Sequence, residues 1–277
     1  MRHEMNPATS SLLAAVALAA LSIATQPANA DEFLIPLELS QPNFFGLGVG
    51  AYPDYFGSDD AAVGVAPIGR LSLGGHRFVR LVVNDLRVNL LDHPNWQLGP
   101  VGVWRFGRED VDDRVVRKVH KIDQSLSLGL FTAHVWRDPQ EARRQVGLGG
   151  WALGDATGAY DGWTAGMNAF AMQPVAKAVT LAGGAAFTYA SDNYMDEYFG
   201  VTASDALASG LAVYQPGAGM RDVRGWATAL LHLSPQWHLG AGVMYSRLVG
   251  DAADSPLVAD RGSKNQWVYG VGALYAW

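Results

Sequence analysis

The chain contains no cysteine. That absence excludes disulfides, thiolate metal centres, iron–sulfur clusters and thiol catalysis together. Charge is also scarce: Asp, Glu, Lys and Arg make up 17% of residues, against about 25% in an ordinary soluble domain. No basic excess exists. The formal net charge is −6, which speaks against nucleic acid as a partner, because its binders present a basic face. Nor does any apolar run approach the ~20 residues that a helix needs to cross a bilayer, so a helical membrane protein is excluded.

Glycine is abundant, with 32 residues in 277, and nine Trp and ten Tyr accompany it. Hydrophobic residues reach 49%, enough to form a core and to exclude general disorder. Few charges with many glycines and aromatics describe a β-rich wall.

The N-terminus reads as an export signal. Arg2 precedes the apolar run Leu12–Ile23, and Ala28-Asn29-Ala30 has the small-x-small pattern of a signal-peptidase site. Residues 1–30 are expected to be a cleaved signal peptide, 31–43 a periplasmic lead-in, and 44–277 one folded unit. Two classes remain: a soluble exported β protein, and an outer-membrane barrel.

The end of the chain favours the barrel. Trp267, Tyr269, Val271, Ala273, Tyr275 and Trp277 share one face of a period-two strand, opposite Gln266, Gly270, Gly272 and Ala276. In a soluble sheet such an aromatic face invites aggregation. Against lipid it supplies the two interfacial girdles of a barrel strand. Tyr275 and the terminal Trp277 also resemble the C-terminal signal read by outer-membrane assembly machinery. Trp104, Trp136, Trp163 and Trp237 are expected in the same girdles. The same alternation places Val63, Val65, Leu71 and Leu73 opposite Gly64, Ala66, Arg70 and Ser72. Arg70 then faces the lumen, whereas lipid at mid-depth would cost about 2–4 kcal/mol.

Eleven β runs can be read, the third over residues 77–91. That run changes phase at Asn84-Asp85, a turn-prone pair. Splitting it there yields an all-β, transmembrane antiparallel barrel of twelve strands, with ten as the alternative. Connections then sort by length. Gly74-Gly75, 92–95, 174–176 and 234–236 are short periplasmic turns, and 53–62, 108–121, 191–216 and 249–265 are long outer loops, the asymmetry these barrels show. Thr202-Ala203-Ser204-Asp205 predicts a capped helix inside the third long loop, ended by Gly210.

Several stretches resemble the MipA/OmpV family of outer-membrane proteins: Tyr52-Pro53-Asp54-Tyr55-Phe56-Gly57-Ser58, Val88-Asn89-Leu90-Leu91, Arg105-Phe106-Gly107-Arg108, Tyr198-Phe199-Gly200-Val201-Thr202, Leu248 to Pro256, Arg261-Gly262-Ser263 and Asn265-Gln266. The resemblance implies a barrel without enzymatic activity and without a cofactor. It implies partners as well: the founding member is named for a lytic transglycosylase and is thought to scaffold it with a murein synthase. Other members look like surface antigens or adhesins. A small-solute channel or adhesin is therefore the alternative function.

Remaining candidates concern contact and charge. Arg137, Asp138, Glu141, Arg143 and Arg144 form the most charged periplasmic turn, the expected contact for periplasmic enzymes. Arg70, Arg105, Asp123 and Asp192 are expected as lumen charges able to bridge the pore. Arg114, Arg117, Lys118, His120 and Lys121 have the chemistry to meet lipopolysaccharide phosphates. The acidic loops match no calcium-loop spacing. His232-Leu233-Ser234 has the His-x-Ser spacing of barrel lipid hydrolases, but it abuts a periplasmic turn and lacks an orienting carboxylate.

Overall fold

A computed structural model describes Leu39 and residues 41–277; the expected signal peptide and most of the lead-in lie outside the described residues. Twelve strands close into one antiparallel barrel. They are β1 (Phe44–Pro53), β2 (Ala61–Gly74), β3 (Arg77–Val82), β4 (Asp85–Asn89), β5 (Trp96–Arg105), β6 (Ser125–Asp138), β7 (Glu141–Asp155), β8 (Trp163–Ala176), β9 (Val179–Ala190), β10 (Gly219–His232), β11 (Trp237–Leu248) and β12 (Asn265–Ala276). Each strand pairs with its sequence neighbour, and β1 closes on β12. Closure satisfies the strand edges, which is the requirement for spanning hydrocarbon with sheet. Among the described residues no helix is long and apolar enough to cross a membrane; the strands make the crossing.

Alternation sorts side chains as the pleat demands. On β12, Trp267, Tyr269, Val271 and Tyr275 are exposed, while Gln266, Leu274 and Ala276 are buried. Trp104, Trp163 and Trp267 mark the outer belt; Trp96, Trp136, Trp237 and Trp277 mark the inner one, and all seven are exposed. Trp163 stacks on Tyr189 with ring centroids 5.8 Å apart, and Trp237 meets Tyr275 at 5.1 Å.

The closing seam is made of glycine. Gly48 and Gly50 face Gly272 and Gly270 across β1–β12, and Gly240 and Gly242 face the same pair across β11–β12. A Cβ on Gly270 would stand 2.8 Å from the Val49 carbonyl oxygen, and one on Gly272 would stand 2.8 Å from that of Leu47. Close backbone approach here requires the missing side chains.

The phase break in 77–91 is a hairpin of two short strands, β3 and β4. The turn falls one residue earlier than Asn84-Asp85: Val83 and Asn84 make it, and Asp85 opens β4. Val83 has φ 58°, a rare state for a β-branched residue. Flanking strands hold it there. The Val83 amide donates to the Pro67 carbonyl at 2.8 Å, and Asn84 Nδ2 donates to that of Trp104 at 2.7 Å. The β8–β9 turn also moves, from 174–176 to Lys177-Ala178, because an irregularity at Pro174–Ala176 lengthens β8.

Outer loops carry short helices: a 3₁₀ turn (Val116–Lys118), α1 (Asp192–Phe199), α2 (Ala203–Ser209), α3 (Gly250–Asp254) and α4 (Pro256–Ala259). The expected capped helix is α2. Thr202 and Asp205 form a reciprocal capping box, and Gly210 ends it at φ 83°.

Candidate functional site

The interior is layered. From mid-height to the outer end it is tied by arginines. Arg87 on β4 donates from Nε to Asp85 Oδ1 at 2.8 Å and from Nη2 to Asp85 Oδ2 at 2.7 Å. Its guanidinium stands 5.3 Å from the centroid of Phe131 and 6.0 Å from that of Trp151. Arg105 on β5 donates to Ser127 Oγ at 2.8 Å and lies 5.2 Å from the Tyr194 ring. On β10, Asp222 receives Arg221 Nε at 2.7 Å and Arg224 Nε at 2.8 Å. Arg221 reaches on to Tyr194 Oη and Arg224 to Thr188 Oγ1, both at 2.6 Å. Arg87 and Arg221 are 0% exposed. Charges so far from water persist only when paired and hydrogen-bonded.

The periplasmic half of the interior holds an apolar cluster. Phe44, Val135, Phe170, Met172, Trp226, Leu230, Met244 and Leu274 form one buried cluster, with Leu39 of the lead-in packed against it. Arg70 belongs to this end. It donates to the Pro42 carbonyl at 2.6 Å and lies 4.7 Å from the Phe78 ring centroid, tying Pro42 to the foot of the barrel.

The outer mouth is roofed by its loops. Tyr55, Val111, Val116, Val119, Val201 and Leu257 pack together, beside a second cluster that includes Tyr194, Tyr198, Phe199 and Val258. Polar ties join the loops. Gln266 Nε2 donates to the Ser58 carbonyl at 3.0 Å, Ser255 Oγ to that of Phe199 at 2.6 Å, and Arg108 Nη1 to that of Tyr198 at 3.1 Å. His120 Nδ1 lies 2.8 Å from Asp205 Oδ2, and its Nε2 lies 3.0 Å from the Glu197 carbonyl. Burial pushes Arg108 down to about 10. Burial alone would raise Asp205, but hydrogen bonds from His120 and Thr202 outweigh it and hold the carboxyl at about 2. Gly57 has φ +93° and meets Val258 closely: an added Cβ would lie 2.4 Å from Val258 Cγ2.

Of the four expected lumen charges, Arg70 and Arg105 face inward. Asp123 and Asp192 do not: both are exposed in the outer loops, Asp192 as the first residue of α1. Among the described residues of the strands, the buried carboxylates are Asp85 and Asp222. Sequence signals existed for both, since each sits within two residues of a lumen arginine. Arg137, Asp138, Glu141, Arg143 and Arg144 do gather at one periplasmic turn. Arg144 pairs with Asp138 at 2.9 Å and Arg143 with Glu141 at 2.9 Å, while Arg137 donates to the Pro94 carbonyl. Ser234 Oγ accepts the Trp237 amide at 2.9 Å, a turn contact, and His232 faces Thr180 and His238 instead. The basic loop residue Arg117 is exposed and folds back on its own loop, donating to the Val111 carbonyl at 2.8 Å. The stretches Tyr52–Ser58, Tyr198–Thr202, Leu248–Pro256 and Arg261–Gln266 all converge on the outer roof.

A closed twelve-stranded barrel with two aromatic belts and a buried, ion-paired interior is an outer-membrane β-barrel protein in lipid contact. The family described as "MltA-interacting protein MipA" matches residues 45–277, and the chain belongs to that family. No curated protein matches it. Among solved structures it is similar to OmpT of Vibrio cholerae, with 8% identity over 87% of this chain and 100% of that chain, TM-score 0.39. It is also similar to an outer membrane channel from Pseudomonas putida F1, with 14% identity over 90% of this chain and 99% of that one, TM-score 0.42. A Pseudomonas aeruginosa FadL homologue shares 10% identity over 84% and 90% of the two chains, TM-score 0.33.

Proposed function

We propose that this protein is a non-enzymatic scaffold of the outer membrane, which receives murein-hydrolysing and murein-synthesising enzymes on its periplasmic rim. The observation that carries the reading is the filled interior. Arg87, Arg105 and Arg221 are buried in it among Phe131, Trp151 and Tyr194, and the apolar cluster around Trp226 fills the level below. A barrel packed through its height offers its rims for work, not its bore. The family description names one partner, MltA, a lytic transglycosylase. The periplasmic rim carries the ion pairs Arg144–Asp138 and Arg143–Glu141, with Arg137 beside them on the Pro94 carbonyl, and the lead-in adjoins it. Those are the contacts assigned to the enzymes, and lipopolysaccharide is assigned to the outer loops.

Two experiments test this. Refolded protein in a planar bilayer is expected to stay silent; steady openings that scale with salt would place the small-solute channel first. Immobilised protein is then expected to retain a lytic transglycosylase from periplasmic extract. R137E/R144E should lose that retention while keeping heat-modifiable gel mobility. Equal retention by the variant would remove the rim from the reading.

A further inference from the structure

The periplasmic mouth holds a pair of histidines that scaffolding does not use. β10 ends at His232 and β11 begins at Trp237, and His232 lies directly opposite His238 in the ladder. Directly opposed residues of an antiparallel pair have Cβ atoms about 4.5–5.5 Å apart, a spacing that lets two imidazoles share one ion. Here the rings do converge. His232 Nδ1 lies 2.8 Å from His238 Nδ1, with ring centroids 5.0 Å apart and planes at 82°. Two neutral rings hold this contact with a single Nδ1 proton between them.

The surroundings bias which atoms are free. His232 Nε2 lies 2.8 Å from Thr180 Oγ1 on the adjoining strand. With Thr180 accepting the Nε2 proton, Nδ1 of His232 presents its lone pair to His238. Fixing the far nitrogen of an imidazole by a hydrogen bond is how proteins orient metal-binding histidines. His238 is 3% exposed, and its Nε2 has no hydrogen-bond partner among the described residues. His232 is part-exposed toward the periplasm, so the pair is reachable.

We propose that His232 and His238 bind a divalent transition-metal ion of the imidazole-preferring class, Zn2+, Cu2+ or Ni2+, through their two Nδ1 atoms. Zinc–nitrogen bonds of about 2.0–2.1 Å at a tetrahedral angle place the two nitrogens ~3.4 Å apart. The rings need only part slightly from their present separation. No net proton is lost: the proton on His238 Nδ1 moves to Nε2 as the metal takes its place. Among the described residues no third His, Cys, Asp or Glu completes a cluster. Water fills the remaining positions, and the site is open and exchangeable rather than a closed structural one. Thr180 acts as a positioning residue.

The test is titration of tag-free, refolded full-length protein with ZnCl2 by calorimetry, and with CuCl2 by electron paramagnetic resonance. Wild-type protein is expected to bind one equivalent of Zn2+. H232Q and H238Q should each lose it, and T180V should weaken it about 10- to 100-fold, the range for lost outer-shell support. H93Q, in another periplasmic turn, should bind as wild type. The Cu2+ spectrum of the wild type should show hyperfine splitting from two nitrogens, a readout that needs no variant to fold. Zinc binding unchanged in both histidine variants, no saturable binding by the wild type, or a Cu2+ spectrum without two nitrogens would each overturn the proposal.

Discussion

Arg221 and Asp222 are neighbours in sequence, yet both point into the barrel. Period-two alternation forbids that in a regular strand. The β9–β10 ladder shifts register between Met220 and Asp222, and this bulge inserts Arg221 as an extra residue. The result is a buried triad of Arg221, Asp222 and Arg224 built from one short stretch of chain.

That triad has one carboxylate between two guanidinium groups. D222N leaves both arginines without their counter-charge in a low-dielectric interior. Breaking a buried pair this way costs about 3–5 kcal/mol. The expected outcome is a clearly lowered temperature for the shift from folded to unfolded gel mobility. A variant replacing all three by apolar residues of similar volume should recover much of the loss, since the cost lies in the uncompensated charge.

The latch between His120 and Asp205 should respond to acid. Asp205 is held at about 2, below its ordinary 3.8. A depressed carboxyl contributes stability that is present above its unfolded value and lost as pH falls through the folded one. The roof should therefore loosen between about pH 4 and pH 2. Protease nicking within 191–218 should rise over that window. In D205N the nicking rate should already be high at neutral pH and flat with acid.

Gly57 tests how tightly the roof is seated. Ala there must adopt φ near +93° and drive its Cβ toward Val258. Strain of about 1–3 kcal/mol is expected from the backbone alone. Because the strain falls on the loops, hydrogen exchange should quicken at Val258 and Leu257 while the strand amides of β6 to β9 stay protected.

We propose that Trp277 also serves delivery to the outer membrane. Trp277 stacks near Tyr275, with centroids 6.2 Å apart, and its amide donates to the Asn43 carbonyl at 3.0 Å. Removing Trp277 should lower the amount of heat-modifiable protein recovered in the outer membrane several-fold. In detergent refolding, where outer-membrane assembly machinery is absent, the same deletion should have a small effect.

Much of the wall was legible in the sequence because lipid and lumen impose opposite chemistry on alternate residues. The aromatic stripe of β12, the glycines facing it and the inward Arg70 all follow from that single rule. The capping box at Thr202 and Asp205 was legible because it is local. The interior ion pairs were legible only in part. Asp222 lies in phase with the inward Arg224 and Trp226, and the bulge hid its partner Arg221. Asp85 reads as a turn residue, yet the turn falls on Val83, a residue whose type argues against positive φ. Asp123 and Asp192 went astray for a related reason: each adjoins a strand end, where alternation stops deciding orientation. The roof was also hidden, since α1, α3 and α4 are short and are held by contacts between loops distant in sequence, such as Ser255 with Phe199.

The glycine seam has a consequence for how the cylinder shuts. Along β1 and β12 the inward positions from Gly48 to Gly50 and from Gly270 to Gly272 carry no side chains to interlock. Such an edge is a zip fastener with smooth tape: little along its length resists slipping by two residues, because alignment in glycine-rich strands is weakly specified. Alignment must be set at its ends, by Phe44 against Ala276 below and by Gln266 gripping Ser58 above. The last strand to arrive is thus registered by its two extremities, and the middle follows.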